Sequence, residues 1–161
     1  MSMRFAYLTG FVAICALLLM SLYLQYVEGI LPCPLCMLQR FSFGLIGILF
    51  FIGIFVHSKR IGCFFINLLS TLFSLIGMAL AGRQIWLQHF TTGHNTDCGV
   101  SLQYMIQALP VNEVLQKIFE GSAECTKRGW EFLSLDMAEW ALICFTAFLV
   151  LSIYLLFKKK K

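Results

Sequence analysis

The chain contains two cysteines separated by two residues, Cys33 and Cys36, in the segment Leu-Pro-Cys-Pro-Leu-Cys. Such a Cys-x-x-Cys pair is a dithiol that can form and break a disulfide bond in exchange with other thiols. The pair lies between two long apolar runs, and Arg40 follows four residues after Cys36. A thiol pair at a membrane boundary predicts electron transfer between a protein thiol and a molecule dissolved in the bilayer.

Arg40 is placed to influence the reactivity of Cys36. Residues four apart lie on one helix face, so the two side chains are neighbours if a helix begins near Pro34, where proline is favourable. The positive end of a helix dipole and a nearby cation both stabilise a thiolate, the reactive form of cysteine. A second interpretation stays open, in which Arg40 only extends its charged group to the lipid headgroups.

Long apolar runs must position these residues. Of 161 residues, 60% are hydrophobic and 12% are charged, whereas a soluble domain has about 25% charged residues. Four runs come near the roughly 17–25 residues that cross a hydrocarbon core. The first run is too long for a signal peptide and ends without a cleavage site, so we expect it to be retained. The sequence therefore predicts an all-α membrane protein, a single four-transmembrane-helix bundle with spans at about 5–27, 37–57, 61–82 and 139–157.

Basic residues are distributed unevenly between the segments that flank these spans. Seven basic residues and no acidic residue lie at the chain termini and between the second and third spans. The segment 83–139 instead contains seven acidic and four basic residues. Because basic residues favour the cytoplasmic side, both termini are predicted to be cytoplasmic, with loops at about 28–36 and 83–138 on the outer side. The net charge of +4 therefore reflects topology and does not indicate nucleic-acid binding.

The seven cysteines divide between the outer loops and the apolar runs. Four are predicted on the outer side, where disulfides persist: Cys33, Cys36, Cys98 and Cys125. The remaining three lie in or beside apolar runs, as is typical of inert buried thiols: Cys15, Cys63 and Cys144. Four outer cysteines allow three pairings, of which proximity favours Cys33 with Cys36 and Cys98 with Cys125.

The two favoured bridges differ in what they contribute to stability. A bridge that closes about four residues constrains the unfolded chain by about 2 kcal/mol, against about 3.6 kcal/mol for about 28 residues. The Cys33–Cys36 bridge therefore fits a bond that is made and broken in use. Cys98 and Cys125 lie in predicted loops around a short amphipathic helix at 111–120 on the membrane surface. Their bridge fits either exchange with a soluble partner or a fixed structural link.

Other cofactor chemistries find little support in the sequence. A structural zinc site usually needs two closely spaced ligand pairs, and Cys33 with Cys36 forms only one, so no metal site is predicted. The chain contains neither the Gly-x-Gly-x-x-Gly nor the Gly-x-x-x-x-Gly-Lys-Ser/Thr motif that binds nucleotide phosphates. We therefore expect any electron acceptor to be lipid-soluble.

Together these features resemble the DsbB family of bacterial inner-membrane disulfide-forming proteins. The resemblance covers nearly the whole chain. It rests on the Cys-Pro-Leu-Cys segment followed by Gln39 and Arg40, on Ala-Gly-Arg-Gln-Ile-Trp-Leu-Gln at 81–88, and on Cys-Thr-Lys-Arg-Gly-Trp at 125–130. It implies a protein-dithiol:quinone oxidoreductase of the inner membrane. Such a protein reoxidises a periplasmic thioredoxin-fold (DsbA-like) dithiol oxidase and passes the electrons to ubiquinone or menaquinone.

The resemblance also implies an order of thiol exchange. Cys98 would form the mixed disulfide with the DsbA-like partner, and Cys125 would then exchange with Cys33. Cys36 would face the membrane quinone and reduce it to quinol.

Three further residues take quinone-site roles by the same resemblance. Arg40 would stabilise the thiolate and the developing quinone anion. Gln84 occupies a position where some family members have histidine, so it can hydrogen-bond but cannot carry the proton that a histidine would. Trp130 matches a family tryptophan near the partner or the quinone, and it fits an interfacial aromatic belt equally well.

Two other functions remain open from the sequence alone. One is a non-catalytic four-helix membrane protein with two structural disulfides. The other is a dithiol donor that moves electrons outward, which needs thiols at more than one membrane depth, as Cys15, Cys63 and Cys144 would supply. Trapping of free thiols under quinone depletion separates the oxidase from the structural protein. An oxidase accumulates reduced Cys33 and Cys36, whereas a structural protein stays oxidised.

The charge distribution predicts which segments an outside reagent reaches. After reduction, a membrane-impermeant maleimide added to sealed cells should label Cys98 and Cys125, because both lie in the predicted outer loop. A cysteine introduced beside Lys59, as in Ser58→Cys, should stay unlabelled until the membrane is opened. Labelling of Ser58→Cys in sealed cells would contradict the orientation.

Overall fold

The structure is a computed structural model, and it describes residues 3–27, 29, 33–57, 60–90, 131–132 and 135–158. Within these residues the chain forms α1 (Met3–Val27), α2 (Pro34–Val56), α3 (Arg60–Phe90) and α4 (Met137–Phe157). Each helix is long and apolar enough to cross a membrane. The prediction of an all-α, four-helix membrane protein is confirmed. The predicted surface helix at 111–120 lies outside the described residues.

A short hairpin and a capping box mark the start of α4. The antiparallel strands β1 (Glu131–Phe132) and β2 (Leu135–Asp136) lead into α4. Asp136 caps α4 by accepting a 2.7 Å hydrogen bond from the backbone N–H of Met137, and the Glu139 carboxylate accepts from the backbone N–H of Asp136 at 2.9 Å. This reciprocal capping box satisfies N–H groups that the first helical turn otherwise leaves unpaired.

Helix α3 continues beyond the apolar run from which its span was predicted. The run ends at Gly82, before Arg83, but the helix extends to Phe90. A charged residue ends an apolar run without ending a helix, and arginine, glutamine and leucine are good helix formers. The extension keeps Gln84 within α3, where it meets residues at the start of α2.

The helices pack in chain order, α1 on α2, α2 on α3, and α3 on α4. We call the end that holds the start of α1 the terminal end, and the end that holds the start of α2 the cysteine end. At the terminal end, Arg4 Nε donates to His57 Nε2 at 2.7 Å. Tyr7 Oη donates to Asn67 Oδ1 at 3.1 Å, with both side chains buried. Polar side chains of α1 are thus satisfied by α2 and α3, as an apolar environment requires.

A stack of aromatic rings fills the middle of the bundle. The Phe43 ring on α2 and the Phe145 ring on α4 lie parallel, with centroids 3.9 Å apart. Phe145 also lies against Gly77 of α3, where an added Cβ atom would come within 2.2 Å of the ring. Small residues allow such close approach between membrane helices. Gly77 therefore admits the ring that joins α2, α3 and α4.

Gly77→Ala should destabilise the bundle, because the added methyl group overlaps a ring that Phe43 prevents from moving away. Overpacking of this kind lowers the free energy of unfolding by about 1–3 kcal/mol. Gly82→Ala on the same helix is the matched control, since a Cβ atom there meets no atom within 4 Å. Thermal unfolding in detergent measures the difference. Gly82→Ala should lose no stability, because alanine also favours a helix more than glycine does. Equal stability of the two variants would show that the ring contact does not matter.

Candidate functional site

The two cysteines of the Cys-x-x-Cys pair form the first turn of α2. Cys33 is the N-cap residue, and its Sγ accepts a hydrogen bond from the backbone N–H of Cys36 at 3.3 Å. Pro34 occupies the first turn, as expected if the helix begins there. The two Sγ atoms lie 2.9 Å apart with a thiol hydrogen bond between them. The first turn therefore places both sulfurs near the positive end of the helix dipole, which favours a thiolate.

The two cysteines of the pair differ in burial. Cys33 is buried, with 4% of its surface exposed, in a small apolar cluster with Leu35 of α2 and Leu87 of α3. Cys36 is half-buried and lies at the wall of a cavity. The two thiols of one dithiol thus have different surroundings, one packed among side chains and the other beside an open space.

This cavity has a volume of about 390 Å³ and lies between α1, α2 and α4. Its volume falls within the range of about 300–1,000 Å³ that is common for small-molecule sites. Most of the wall is apolar, and polar groups come mainly from α2. The lining residues are Leu17, Leu18, Met20, Ser21, Leu24, Cys36, Gln39, Arg40, Phe43, Met137, Trp140, Ala141 and Cys144.

The cavity lies between α1 and α4 beyond the point where these helices approach each other. There, a Cβ atom on Gly10 would lie 3.6 Å from Leu151 Cδ2. Toward the cysteine end the cavity separates the same two helices, with Leu24 on one side and Trp140 on the other. The space thus lies beside the reactive thiols and not in the packed middle of the bundle.

Arg40 lines the cavity and is held there by α1. Its Nη1 donates to Gln25 Oε1, and its Nη2 donates to the backbone carbonyl of Ser21 at 3.1 Å. Both partners belong to the bundle, so this geometry does not match the interpretation in which Arg40 extends to lipid headgroups. A guanidinium has five N–H donors in a planar fork. Two bonds to α1 orient the group and leave further donors for a molecule in the cavity.

Gln84 lies on the other side of Cys36, on α3, which contributes no residue to the cavity wall. Its Nε2 donates to Cys36 Sγ at 3.2 Å. Its Oε1 accepts from Gln39 Nε2 at 2.9 Å. The family resemblance makes Gln84 a candidate for the quinone site. The structure places it in contact with the thiol and outside the residues that line the cavity.

The structure thus brings together Cys33, Cys36, Arg40 and Gln84 at the cysteine end. The other site residues expected from the sequence, Cys98, Cys125 and Trp130, lie outside the described residues. No group of three or more residues that could hold a metal ion occurs in the described part of the chain.

Sequence reasoning missed several parts of this site. The only indication for Gln25 in the sequence is that it is a polar residue at the end of an apolar run. For Trp140 it is the position near the start of the last span. Cys144 was interpreted as an inert core thiol, and it is half-buried at the cavity wall. Helical spacing from Trp140 would have placed Cys144 on the same face, because the two are four residues apart.

Chemically, the site combines a thiol, a cation and an apolar recess. A flat apolar molecule in the cavity would meet the Cys36 sulfur at one wall and the Arg40 donors one helical turn away. The lining is mostly apolar, and low-polarity surroundings strengthen the interaction between a guanidinium and a negative oxygen. Such a site suits electron transfer from sulfur to an acceptor that becomes anionic.

Comparison with known proteins identifies relatives over nearly the full length of the chain. The family model described as "Disulfide bond formation protein DsbB" matches residues 3–155. Disulfide bond formation protein B of Hahella chejuensis is 39% identical over 90% of this chain and 88% of its own. Disulfide bond formation protein B 1 of Pseudomonas aeruginosa is 38% identical over 94% of this chain and 93% of its own. Disulfide bond formation protein B of Nitrosomonas eutropha is 37% identical over 98% of this chain and 96% of its own.

The family match and these relatives agree with the four apolar helices and with the thiol pair at the start of α2. They support a multi-pass membrane protein that generates disulfide bonds. The chain belongs to the DsbB family of disulfide bond formation proteins.

Proposed function

We propose that this protein is a protein-dithiol:quinone oxidoreductase that transfers electrons from the Cys33/Cys36 dithiol to a membrane quinone. The observation that carries the proposal is the apolar cavity with Cys36 and Arg40 in its wall. A non-catalytic protein with two structural disulfides would have no need for a thiol beside an open recess with an oriented cation.

The residues of the cavity fit the chemistry of ubiquinone or menaquinone. A quinone is a flat ring with carbonyl oxygens and an apolar tail, and it accepts two electrons and two protons to become a quinol. The leucines of α1 and Trp140 of α4 would contact the ring and tail. Arg40, held by Gln25 and Ser21, would donate hydrogen bonds to a carbonyl oxygen and stabilise negative charge on it.

The proposed reaction balances with the dithiol alone. Oxidation of Cys33 and Cys36 forms one S–S bond and releases two electrons and two protons. Reduction of one quinone to quinol consumes the same number of each. Cys36, at the cavity wall, would deliver electrons to the acceptor, and Cys33, 2.9 Å from it, would complete the disulfide. The oxidised pair is then ready to accept electrons again.

Upstream of this step, we propose that the disulfide between Cys98 and Cys125 is reduced by a periplasmic DsbA-like dithiol oxidase. Cys98 would form the mixed disulfide with that partner, and Cys125 would pass the electrons to Cys33 by exchange. Trp130, five residues after Cys125, is a further candidate for contact with the partner or the quinone. Exchange of this kind joins a soluble partner to a lipid-soluble acceptor without any other cofactor.

The proposed reaction has a location that agrees with the charge pattern. We propose the bacterial inner membrane, with both termini cytoplasmic and both redox loops periplasmic. The seven basic residues around the termini and between the second and third spans support this orientation. It places the cysteine end of the bundle at the periplasmic surface, where exported proteins acquire disulfides.

Filling the cavity should block quinone reduction. Cys144→Trp places a bulky ring at the wall, so we expect at least about a tenfold rise in the quinone concentration that gives half-maximal turnover. Quinol formation by the reduced protein in proteoliposomes measures this concentration. Ile143→Trp is the matched control, because the neighbouring Ile143 is 49% exposed on the lipid side of α4.

Cys144→Ala separates loss of space from loss of the thiol, because it removes the sulfur and leaves the cavity open. This variant and Ile143→Trp should reduce quinone as the unchanged protein does. If Cys144→Trp also did so while remaining folded, the cavity would not be the quinone site and the proposed function would lose its main support.

Arg40 should act through the geometry of its guanidinium. Arg40→Lys keeps the charge but loses the planar fork, so we expect quinone turnover to fall about tenfold, and about a hundredfold in Arg40→Ala. Oxidation of the partner by the pre-formed Cys98–Cys125 bond in a single turnover should be unaffected. Arg4→Lys, at the terminal end, is the matched control. Equal quinone turnover in all variants would show that Arg40 only anchors the helix.

A further inference from the structure

Two buried glutamines connect α2 and α3 behind the reactive sulfur. Gln39 is 5% exposed and Gln84 is 4% exposed. Glutamine side chains are uncommon in a membrane interior unless they are paired, because an unsatisfied amide there costs free energy. The pair is joined by the 2.9 Å bond from Gln39 Nε2 to Gln84 Oε1. Each glutamine thus offsets part of the cost of burying the other.

The bond between the glutamines determines which atom of Gln84 can donate to Cys36. An amide presents one acceptor oxygen and one donor nitrogen. Since Gln84 Oε1 accepts from Gln39, Gln84 Nε2 is the atom at 3.2 Å from Cys36 Sγ. Rotating the Gln84 amide by half a turn would place two NH₂ groups against each other and lose the Gln39 bond. Gln39 therefore keeps an N–H donor aimed at the sulfur.

A donor aimed at sulfur distinguishes the two protonation states of the thiol. Hydrogen bonds to the charged form of a group favour that form. Gln84 Oε1 also lies 3.5 Å from Cys36 Sγ, where it can accept from a thiol proton, but the Nε2 contact is shorter at 3.2 Å. The thiolate therefore gains a charge-assisted hydrogen bond from the Gln84 amide.

We infer that Gln84, oriented by Gln39, is a positioning residue that stabilises the Cys36 thiolate from α3, outside the residues that line the cavity. Gln84 acts through Cys36, because α3 contributes no residue to the cavity wall. Its consequence for turnover rests on the proposed function, in which Cys36 delivers electrons to a quinone. Its effect on the thiol itself is independent of any quinone.

Within the described residues, the contacts of Cys36 and the cavity wall include three charged or ionisable groups. On α2 they are Cys33, whose Sγ lies 2.9 Å away, and Arg40 in the same cavity wall. On α4 the cavity wall contributes Cys144. The residues of α1 in the wall are uncharged, and Gln84 is the contact from α3. Substitutions of Gln84 leave all of these groups in place, so a change in ionisation reports the amide.

The experiment measures the pH dependence of Cys36 alkylation by iodoacetamide, using full-length reduced protein in detergent without quinone. A Cys33→Ala background removes the coupled thiol, and mass spectrometry follows the Cys36 peptide. Gln84→Leu should raise the pH of half-maximal alkylation by about one unit, which is a tenfold loss of thiolate at a fixed lower pH. Gln84→Glu should raise it at least as much, because a carboxylate keeps the shape but repels the thiolate.

Two further variants separate positioning from packing. Gln39→Leu should produce a smaller rise in the same direction, since the Gln84 amide stays but loses the bond that orients it. Gln88→Leu, one turn further along α3, is the matched control and should leave the profile unchanged. If Gln84→Leu does not fold, Gln84→Met, which has a similar length but neither a charge nor an N–H donor, decides the question.

The inference is overturned if the folded Gln84 variants keep the original alkylation profile, even if their thermal stability falls, because Gln84 would then only pack. A shifted profile together with absent quinone reduction in the unchanged protein would leave the inference standing and reject the proposed function. Normal quinone reduction with an unshifted profile in the variants would reject the inference alone.

Discussion

The site depends on one constraint, which is that a polar group inside a hydrocarbon layer must find its partner within the protein. At the cysteine end, Arg40 finds its partners on α1 and Gln39 finds its partner on α3. These bonds run from α2 in opposite directions. They hold the start of α2, and with it Cys36, between two neighbouring helices. The polar groups that give the site its chemistry are therefore also the groups that assemble it.

The two ends of the bundle differ in how closely their helices pack. In the middle and toward the terminal end, rings pack against small residues, as Phe145 does against Gly77, and helices approach closely. At the cysteine end, α1 and α4 leave a cavity of about 390 Å³. A membrane protein has little hydrophobic driving force between helices, so close packing must supply cohesion. Cohesion in the packed part permits an open space beside the thiols.

The start of α2 concentrates several effects on one turn of backbone. The Cys33 side chain caps the helix by accepting from the backbone N–H of Cys36, and Pro34 occupies a position where its missing N–H is not needed. The same turn is the first of a membrane-spanning helix, so it lies at the boundary between the apolar span and the preceding loop. The placement of Cys33 among packed side chains and Cys36 at the cavity gives each thiol a different neighbour.

Much of this protein follows from local sequence. Uncharged runs of sufficient length predict the spans, because crossing hydrocarbon needs a minimum number of apolar residues. The spacing of Cys36 and Arg40 predicts that they are neighbours, because that relation lies within a single helix. The family resemblance follows from the same motifs. The extent of α3 did not follow from its apolar run, since Arg83 marks the end of hydrophobicity and not the end of the helix.

Only the tertiary structure decided which helices complete the site. The partners of Arg40 on α1, the Gln39–Gln84 pair and the cavity walled by Trp140 and Cys144 join residues that are far apart in the chain. Helical spacing reports which side chains share a face, but it does not report which helix that face meets. That choice depends on where close packing is possible, as at Gly77 and Gly10, and on where buried polar groups find partners. Sequence thus determined the reactive groups and the spans, and packing between helices determined their surroundings.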